Sequence, residues 1–254
     1  MTLTHDPKFR VALARNDEDL RAAQGLRYDV FVEELGGGGP LVDHDQRLEK
    51  DRFDPFFDHL ILFDDAAEAR VAGVYRMLPG EKAEAAGAFY SEDEYDLAPL
   101  KATGRRLLEL GRSCLHKHYR GGRAMFHLWN GLAEYVADHE IDILFGVASF
   151  HGTDVGALAA PLSLLHHRHL APEQLRVEAR PPNAANMNLI DPAQIDRRGA
   201  MVQMPALIKA YLRLGGVVGE GAYIDHGFNT TDVCLIMDTG EMSERQRRIY
   251  GVAT

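Results

Sequence analysis

Residues 106–136 read RLLELGRSCLHKHYRGGRAMFHLWNGLAEYV. The segment opens as an apolar run with a lone acid, Glu109, between Leu108 and Leu110. It passes through a basic stretch, turns at Gly121-Gly122, and continues with apolar residues at helical spacing. This pattern predicts a strand, a tight turn and an amphipathic helix. A glycine turn that opens a helix is a seat for phosphate, because free backbone N–H groups and the helix dipole both face the anion. With an acid a few residues upstream on the same strand, the segment predicts transfer from a phosphate-bearing carrier beside a general base. The turn taken alone, Arg120-Gly121-Gly122-Arg123, reads as a plain connection on a solvated face.

Glu109 has two readings. In a regular strand its side chain faces away from those of Leu108 and Leu110, toward either solvent or a cleft. A desolvated carboxylate has a raised pKa and accepts a proton from an ammonium more readily. Arg112 has the opposite parity, unless a bulge at Gly111 brings both onto one face. The alternative is an exposed Glu–Arg pair on a sheet edge.

Outward from this segment, the periodicities predict a strand over 8–14 and a helix over 17–34 capped by Asp17. The glycines at 36–39 and Pro40 end that helix in a loop, which runs into an acidic, aromatic stretch containing Asp43, Asp45, Asp51, Phe53 and Asp54. Strands follow over 59–63 and 71–77, then an irregular segment with a short helix over 79–101. Beyond 136 come a strand over 142–148, a helix over 153–166, a strand near 176–179, a helix over 204–214, and strands over 217–225 and 233–238. No repeat or low-complexity linker divides the chain. We therefore expect a single α+β domain over 1–254, an α/β/α arrangement of a central sheet with helices on it.

The chain has 254 residues, 46% hydrophobic and 26% charged, as in ordinary globular proteins. Its formal net charge of −10 argues against general nucleic-acid binding. The local cluster HKHYRGGR at 116–123 is nevertheless basic enough to meet an acidic partner. The two cysteines, Cys114 and Cys234, are far apart in sequence and suggest a reducing, cytoplasmic setting. The opening MTLTHDPKFR lacks an apolar signal core, and no apolar run is long enough to span a bilayer, so membrane work is expected only from the surface.

Several motifs lead nowhere. Asp51, Asp54 and Asp58 could take a cationic amine, but they lack the regular spacing and turn glycine of a hard-metal loop, so no metal is expected. His59 and Asp64 match a His-x4-Asp acyltransferase spacing, yet in a strand they face opposite ways. The tract His166-His167-Arg168-His169 diverges around a helix and reads as a polar face. Cys114 reads as packing.

The order of motifs resembles a known family. Leu26-Arg27-Tyr28-Asp29-Val30-Phe31-Val32-Glu33-Glu34 is similar to the first-helix motif of acyl-homoserine lactone synthases and relatives in the GCN5-related N-acetyltransferase (GNAT) superfamily. Asp51-Arg52-Phe53-Asp54, Val74-Tyr75-Arg76-Met77-Leu78 and Glu109-Leu110-Gly111-Arg112 resemble their next three motifs. In the second half, the stretch at 204–215 (MPALIKAYLRLG) and Gly227-Phe228-Asn229-Thr230-Thr231-Asp232-Val233 resemble the ornithine N-acyltransferases of ornithine-lipid synthesis, some of which carry an old haemolysin label. Lactone synthases have a tryptophan after the first helix. This chain has glycines there, and its one tryptophan is Trp129.

The resemblance implies a GNAT-like fold with a mixed sheet flanked by helices. It implies transfer of a (3-hydroxy)acyl chain from acyl carrier protein to the α-amine of L-ornithine, with no permanently bound cofactor. Glu109 and Arg112 are the implied catalytic residues, and Arg27, Phe31, Asp51, Asp54 and Arg76 the implied substrate-binding ones. Arg120, Gly121, Gly122 and Arg123 would receive the phosphopantetheine phosphate. The acyl tail is expected between the central strands and the helix over 126–136. Another amine acceptor, a lactone synthase activity, or a non-enzymatic membrane-active protein are the alternatives.

Overall fold

The computed structural model describes residues 5–68 and 70–242. Met1–Thr4 of the amino-terminal segment and 243–254 of the expected domain lie outside the described residues. In chain order the elements are β1 (Phe9–Leu13), α1 (Asp17–Arg27), β2 (Asp58–Asp64), β3 (Arg70–Pro79), α2 (Gly80–Ala86), β4 (Tyr95–Asp96), α3 (Ala98–Ala102), β5 (Leu107–Leu115) and α4 (Ala124–Asp138). They continue with β6 (Ile143–His151), α5 (Ala159–His169), β7 (Glu178–Ala179), β8 (Ala184–Ala185), α6 (Arg197–Gln203), α7 (Ala206–Arg213), β9 (Val217–Val218), β10 (Ala222–Asp225) and β11 (Thr230–Asp238). Among the described residues the main sheet has nine strands in the order β1-β2-β3-β5-β6-β11-β10-β8, with β9 also on β11. All pairs are antiparallel except β5 with β6, so the sheet is mixed.

Strand alternation explains the layers. On β2, Leu60 and Leu62 pack with Leu128, Leu132 and Val136 of α4. Their neighbours Ile61 and Phe63 point through the other face to Ala23 and Leu26 of α1. Each such fully buried aliphatic side chain contributes roughly 1.5–3 kcal/mol. The result is the expected α/β/α layering.

Local differences from the sequence reading have local causes. Asn16, not Asp17, caps α1: it is extended, and its side chain accepts from the Asp19 amide at 2.9 Å. The helix does not continue regularly to 34. Tyr28–Glu34 widens into π turns, with Leu35 N bonded to Val30 O at 3.2 Å. The helix expected over 204–214 starts at Ala206, because Met204 is extended and Pro205 has no N–H to continue α6. The strand expected over 217–225 is two pieces, broken where Gly221 adopts φ +75°.

Two irregularities shape the centre of the sheet. First, the β3–β5 register shifts by one residue between the pairs Val74↔Cys114 and Arg76↔Gly111. The extra residue falls at Arg112-Ser113 rather than Gly111, and Arg112 sits at φ +50°. This bulge reverses the parity of the strand: Leu108 and Leu110 pack on the α4 face, while Cys114 packs on the α1 face. Second, β5 and β6 pair only over Leu107↔Ile143, Leu108↔Leu144 and Glu109↔Phe145, then part. Gly146 holds the point of divergence, where a Cβ would lie 2.1 Å from the Leu110 carbonyl oxygen. Beyond it, β11 stays on β6 to His151, β3 stays on β5, and the facing edges of β5 and β6 open into a cleft.

Candidate active site

Glu109 is the last paired residue before the strands part, and it is 1% exposed. Its carboxylate accepts hydrogen bonds from the Tyr90 amide at 2.7 Å, the Ser91 amide at 2.6 Å and the Ser91 hydroxyl. These donors belong to a short helical turn at Tyr90–Asp93, within the segment that the sequence left irregular. Burial raises the pKa of Glu109 against the pull of the three donors, leaving it pushed up to about 7. Three of about four acceptor positions on the carboxylate are filled. One is left for a proton or a water. The exposed sheet-edge reading of Glu109 is excluded by this burial.

Glu109 opens on a cavity of about 380 Å³ in the cleft, lined also by Gly111, Arg112 and Ser113 of β5, Val147, Ala148 and Ser149 of β6, and Asp225, Thr230 and Asp232 of β10–β11. Phe31 and Arg76 reach this cavity as well. A second, narrow space of about 40 Å³ runs deeper between β5 and β6. It is walled by Tyr75, Leu144, Leu207, Tyr211 and Leu235, and Leu207 borders both spaces. The deep wall is therefore α7 and β11, not the helix over 126–136 where the tail was expected. The physical reason is that α4 packs on β1, β2 and β3, away from the split. Phe126 is 57% exposed, and Trp129 packs against Tyr211 with ring centroids 5.7 Å apart.

Arg27, Asp51 and Asp54 do not line the cavity. They belong to a buried ion cluster behind it. Arg27 pairs with Glu49 and with Asp54 at 2.7 Å. Arg76 pairs with Asp51 at 2.5 Å and Asp54 at 2.8 Å. Arg112 reaches Glu49 at 3.2 Å and Asp51 at 3.4 Å, and the Gln24 amide donates to Asp54 at 2.9 Å. Three arginines thus face three acids. Burial opposes ionisation of the acids, yet the Arg112, Arg76 and Arg27 charges hold Glu49, Asp51 and Asp54 below the usual carboxylate range. Asp51 and Asp54, expected to bind substrate, are held in ion pairs with these arginines. Glu49 was missed in the sequence because nothing in its spacing marks it.

The cluster fixes the cavity wall. The Arg76 guanidinium stacks 4.0 Å from the Phe57 ring centroid, and that of Arg112 lies 4.9 Å from both Tyr90 and Phe228. Arg76 leaves Nε and Nη2 without hydrogen-bond partners. These two N–H groups form one edge of the guanidinium fork, the edge that suits a carboxylate. Gly111 leaves room beside it, since even a Cβ there would stay 3.9 Å from Nε.

Arg120, Gly121, Gly122 and Arg123 form an exposed turn, with Gly121 at φ +76°. Arg120 donates to the Leu115 carbonyl at 3.0 Å and pairs with Glu34 at 2.8 Å, so it braces the turn. Arg123 is solvent-exposed, and no side chain caps the first turn of α4. Its amides remain available to an anion.

The motifs that led nowhere resolve as packing. His59 contacts the Asp54 carbonyl at 3.0 Å, while Asp64 binds His5, the Lys8 amide and Tyr119. His167 meets the Ile190 carbonyl at 3.1 Å. Burial pushes the Cys114 thiol up to about 12, which leaves it unreactive. No helix among the described residues is long and apolar enough to cross a membrane.

Residues 26–130 match the acetyltransferase (GNAT) domain family. An L-ornithine N(alpha)-acyltransferase of Rhodobacter capsulatus is 59% identical over 246 residues, 95% of this chain and 94% of its own length. Two solved structures share the fold: FeeM, an N-acyl amino acid synthase from uncultured soil microbes (TM-score 0.53, 11% identity, covering 96% of this chain and 99% of its own), and the AHL synthase LasI (TM-score 0.51, 17% identity, covering 97% and 96%). Glu109 and Arg112 lie on β5 where it parts from β6, with Arg76 beside them on β3, in a chain that belongs to the L-ornithine Nα-acyltransferase family.

Proposed function

We propose that this protein moves a (3-hydroxy)acyl chain from the phosphopantetheine arm of acyl carrier protein to the α-amine of L-ornithine, giving lyso-ornithine lipid, and that it works as a single catalytic unit. The observation that carries this is Glu109: a buried carboxylate with a pKa near neutrality at the point where β5 and β6 part. The amine attacks the thioester carbonyl directly. Glu109 takes the amine proton, directly or through one water, and the released β5 amides in the Gly111–Ser113 stretch face the developing oxyanion. The thiol of the carrier leaves. No acyl-enzyme is needed, and the two buried cysteines offer none.

Arg76 Nε and Nη2 are the donors for the amino acid's carboxylate, with Phe31 closing the mouth of the cavity. Arg27, Asp51 and Asp54, with Glu49, hold Arg76 and Arg112 in position and need not touch substrate. The tail runs between β5 and β6 toward Leu207 and Tyr211, which must part to widen the narrow space. Arg123 and the amides of the Gly121-Gly122 turn take the phosphate. The basic 116–123 stretch meets the acidic carrier, and the lipid product favours work at a membrane surface from the cytoplasmic side.

The test is reconstitution. Purified protein with acyl carrier protein charged with 3-hydroxyacyl chains, offered a panel of amino acids, should yield N-acylornithine by mass spectrometry. Transfer to another amine, or leakage of liposomes with no transfer at all, would replace this reading.

A further inference from the structure

Three carboxylates outside the ion cluster converge, and two of them, Asp225 and Asp232, line the Glu109 cavity. One oxygen from each of Glu94, Asp225 and Asp232 lies within 4.8 Å of the other two. Glu94 is 4% and Asp232 3% exposed, yet Glu94 Oε2 and Asp232 Oδ1 have no hydrogen-bond partner. Such groups are costly to bury unless something pairs with them. Arg112, whose charge reaches both, is itself paired with Glu49 and Asp51. Asp225 also uses its Oδ1 to accept the Gly227 and Phe228 amides, which fixes the β10–β11 turn beneath the cavity.

We propose that Glu94, Asp225 and Asp232 seat the side-chain ammonium of the acceptor, making the site selective for a diamino acid. This rests on the acyl transfer proposed above. An ammonium donates three hydrogen bonds, and donor–acceptor distances near 2.8 Å in tetrahedral directions set its acceptors about 4.6 Å apart. Asp225 and Asp232 line the same cavity as Glu109, so one ligand can face both groups. In an extended chain with three methylenes, bond lengths near 1.5 Å separate the two nitrogens by roughly 6 Å. The α-amine then addresses Glu109 while the δ-ammonium enters the acid trio. Burial and the neighbouring Asp232 and Asp225 charges raise Glu94 well above the carboxylate range. Burial also pushes Asp232 up to about 6, a strain that a bound cation relieves.

The experiment compares L-ornithine with L-norvaline, which has the same carbon skeleton without the δ-amine, in the wild type and in Glu94→Gln, Asp232→Asn and Asp225→Asn. Wild type should favour ornithine in kcat/KM by roughly 100-fold or more, because a site built for a charged donor rejects the analogue lacking it. Each variant should raise the ornithine KM with a much smaller change in kcat, and the ornithine-to-norvaline ratio should fall toward one. If Asp232→Asn does not fold, the half-exposed Asp225→Asn carries the comparison. An unchanged ratio with transfer intact overturns the ammonium seat and leaves the transferase reading standing. A wild type that acylates no amino acid overturns both. Thermal protection by Mg²⁺ or Ca²⁺, with none from ornithine or 1,4-diaminobutane, would make the trio a metal site and overturn the proposal.

Discussion

Glu109 and Arg112 face the same cavity from one strand although they stand three positions apart, because the bulge at Arg112-Ser113 reverses the alternation of β5. Tyr90 joins them, its amide donating to Glu109 at 2.7 Å and its ring lying 4.9 Å from the Arg112 guanidinium. A buried carboxylate and a fixed positive charge are thereby set side by side where the sheet opens.

Glu109 should govern the pH dependence of turnover. With its pKa at about 7, it is an unprotonated base only above that value, so kcat/KM should fall as the pH drops through neutrality. Glu109→Gln should retain the fold and lose roughly 10²–10⁴-fold in turnover. Stability carries the matching sign. The raised folded pKa means that ionisation of Glu109 destabilises the native state as pH rises from 4.5 through about 7. Between pH 5 and 8, urea unfolding should shift in favour of Glu109→Gln relative to wild type by on the order of 3 kcal/mol. A difference that stays constant with pH would remove the raised pKa.

The ion cluster predicts an asymmetry between breaking and replacing it. Glu49→Gln leaves the buried Arg27 and the bulge residue Arg112 short of a partner, and should cost about 3–5 kcal/mol in denaturant unfolding. The held-down pKa of Asp54 adds an acid limb: its contribution is present above the ordinary value of 3.8 and is lost as pH falls below it. Asp54→Asn should therefore flatten the acid-induced unfolding curve.

Gly146 should not tolerate a side chain. A Cβ 2.1 Å from the Leu110 carbonyl oxygen forces β5 and β6 apart immediately beyond their last paired residues, and Gly146→Ala should cost about 2–3 kcal/mol or more. Thermal unfolding measures this, and turnover should fall with it because Glu109 sits on the adjoining pair.

Leu207 borders both the cavity and the narrow space behind it. Leu207→Trp should block the tail path, so that long acyl donors lose activity while short ones keep it. Product chain lengths by mass spectrometry give the answer directly, and an unaltered profile would move the tail elsewhere.

What was readable in the chain itself was governed by neighbours in sequence. The leucines around Glu109 predict an apolar strand, the strand over 59–63 sets His59 and Asp64 on opposite faces, and the glycines at 121–122 followed by helical spacing predict the turn and α4. These follow from backbone periodicity, which is local. The fate of the acids was not readable. Asp51 and Asp54 look as free as Asp225 and Asp232 in sequence, yet the first pair is neutralised by arginines from α1, β3 and β5, and the second is left facing the cavity. Charge pairing depends on which groups approach within a few ångströms, and strands brought together from distant parts of the chain decide that. The same holds for Tyr90 and Ser91, whose hydrogen bonds to Glu109 exist only once the loop before β4 folds back over β5.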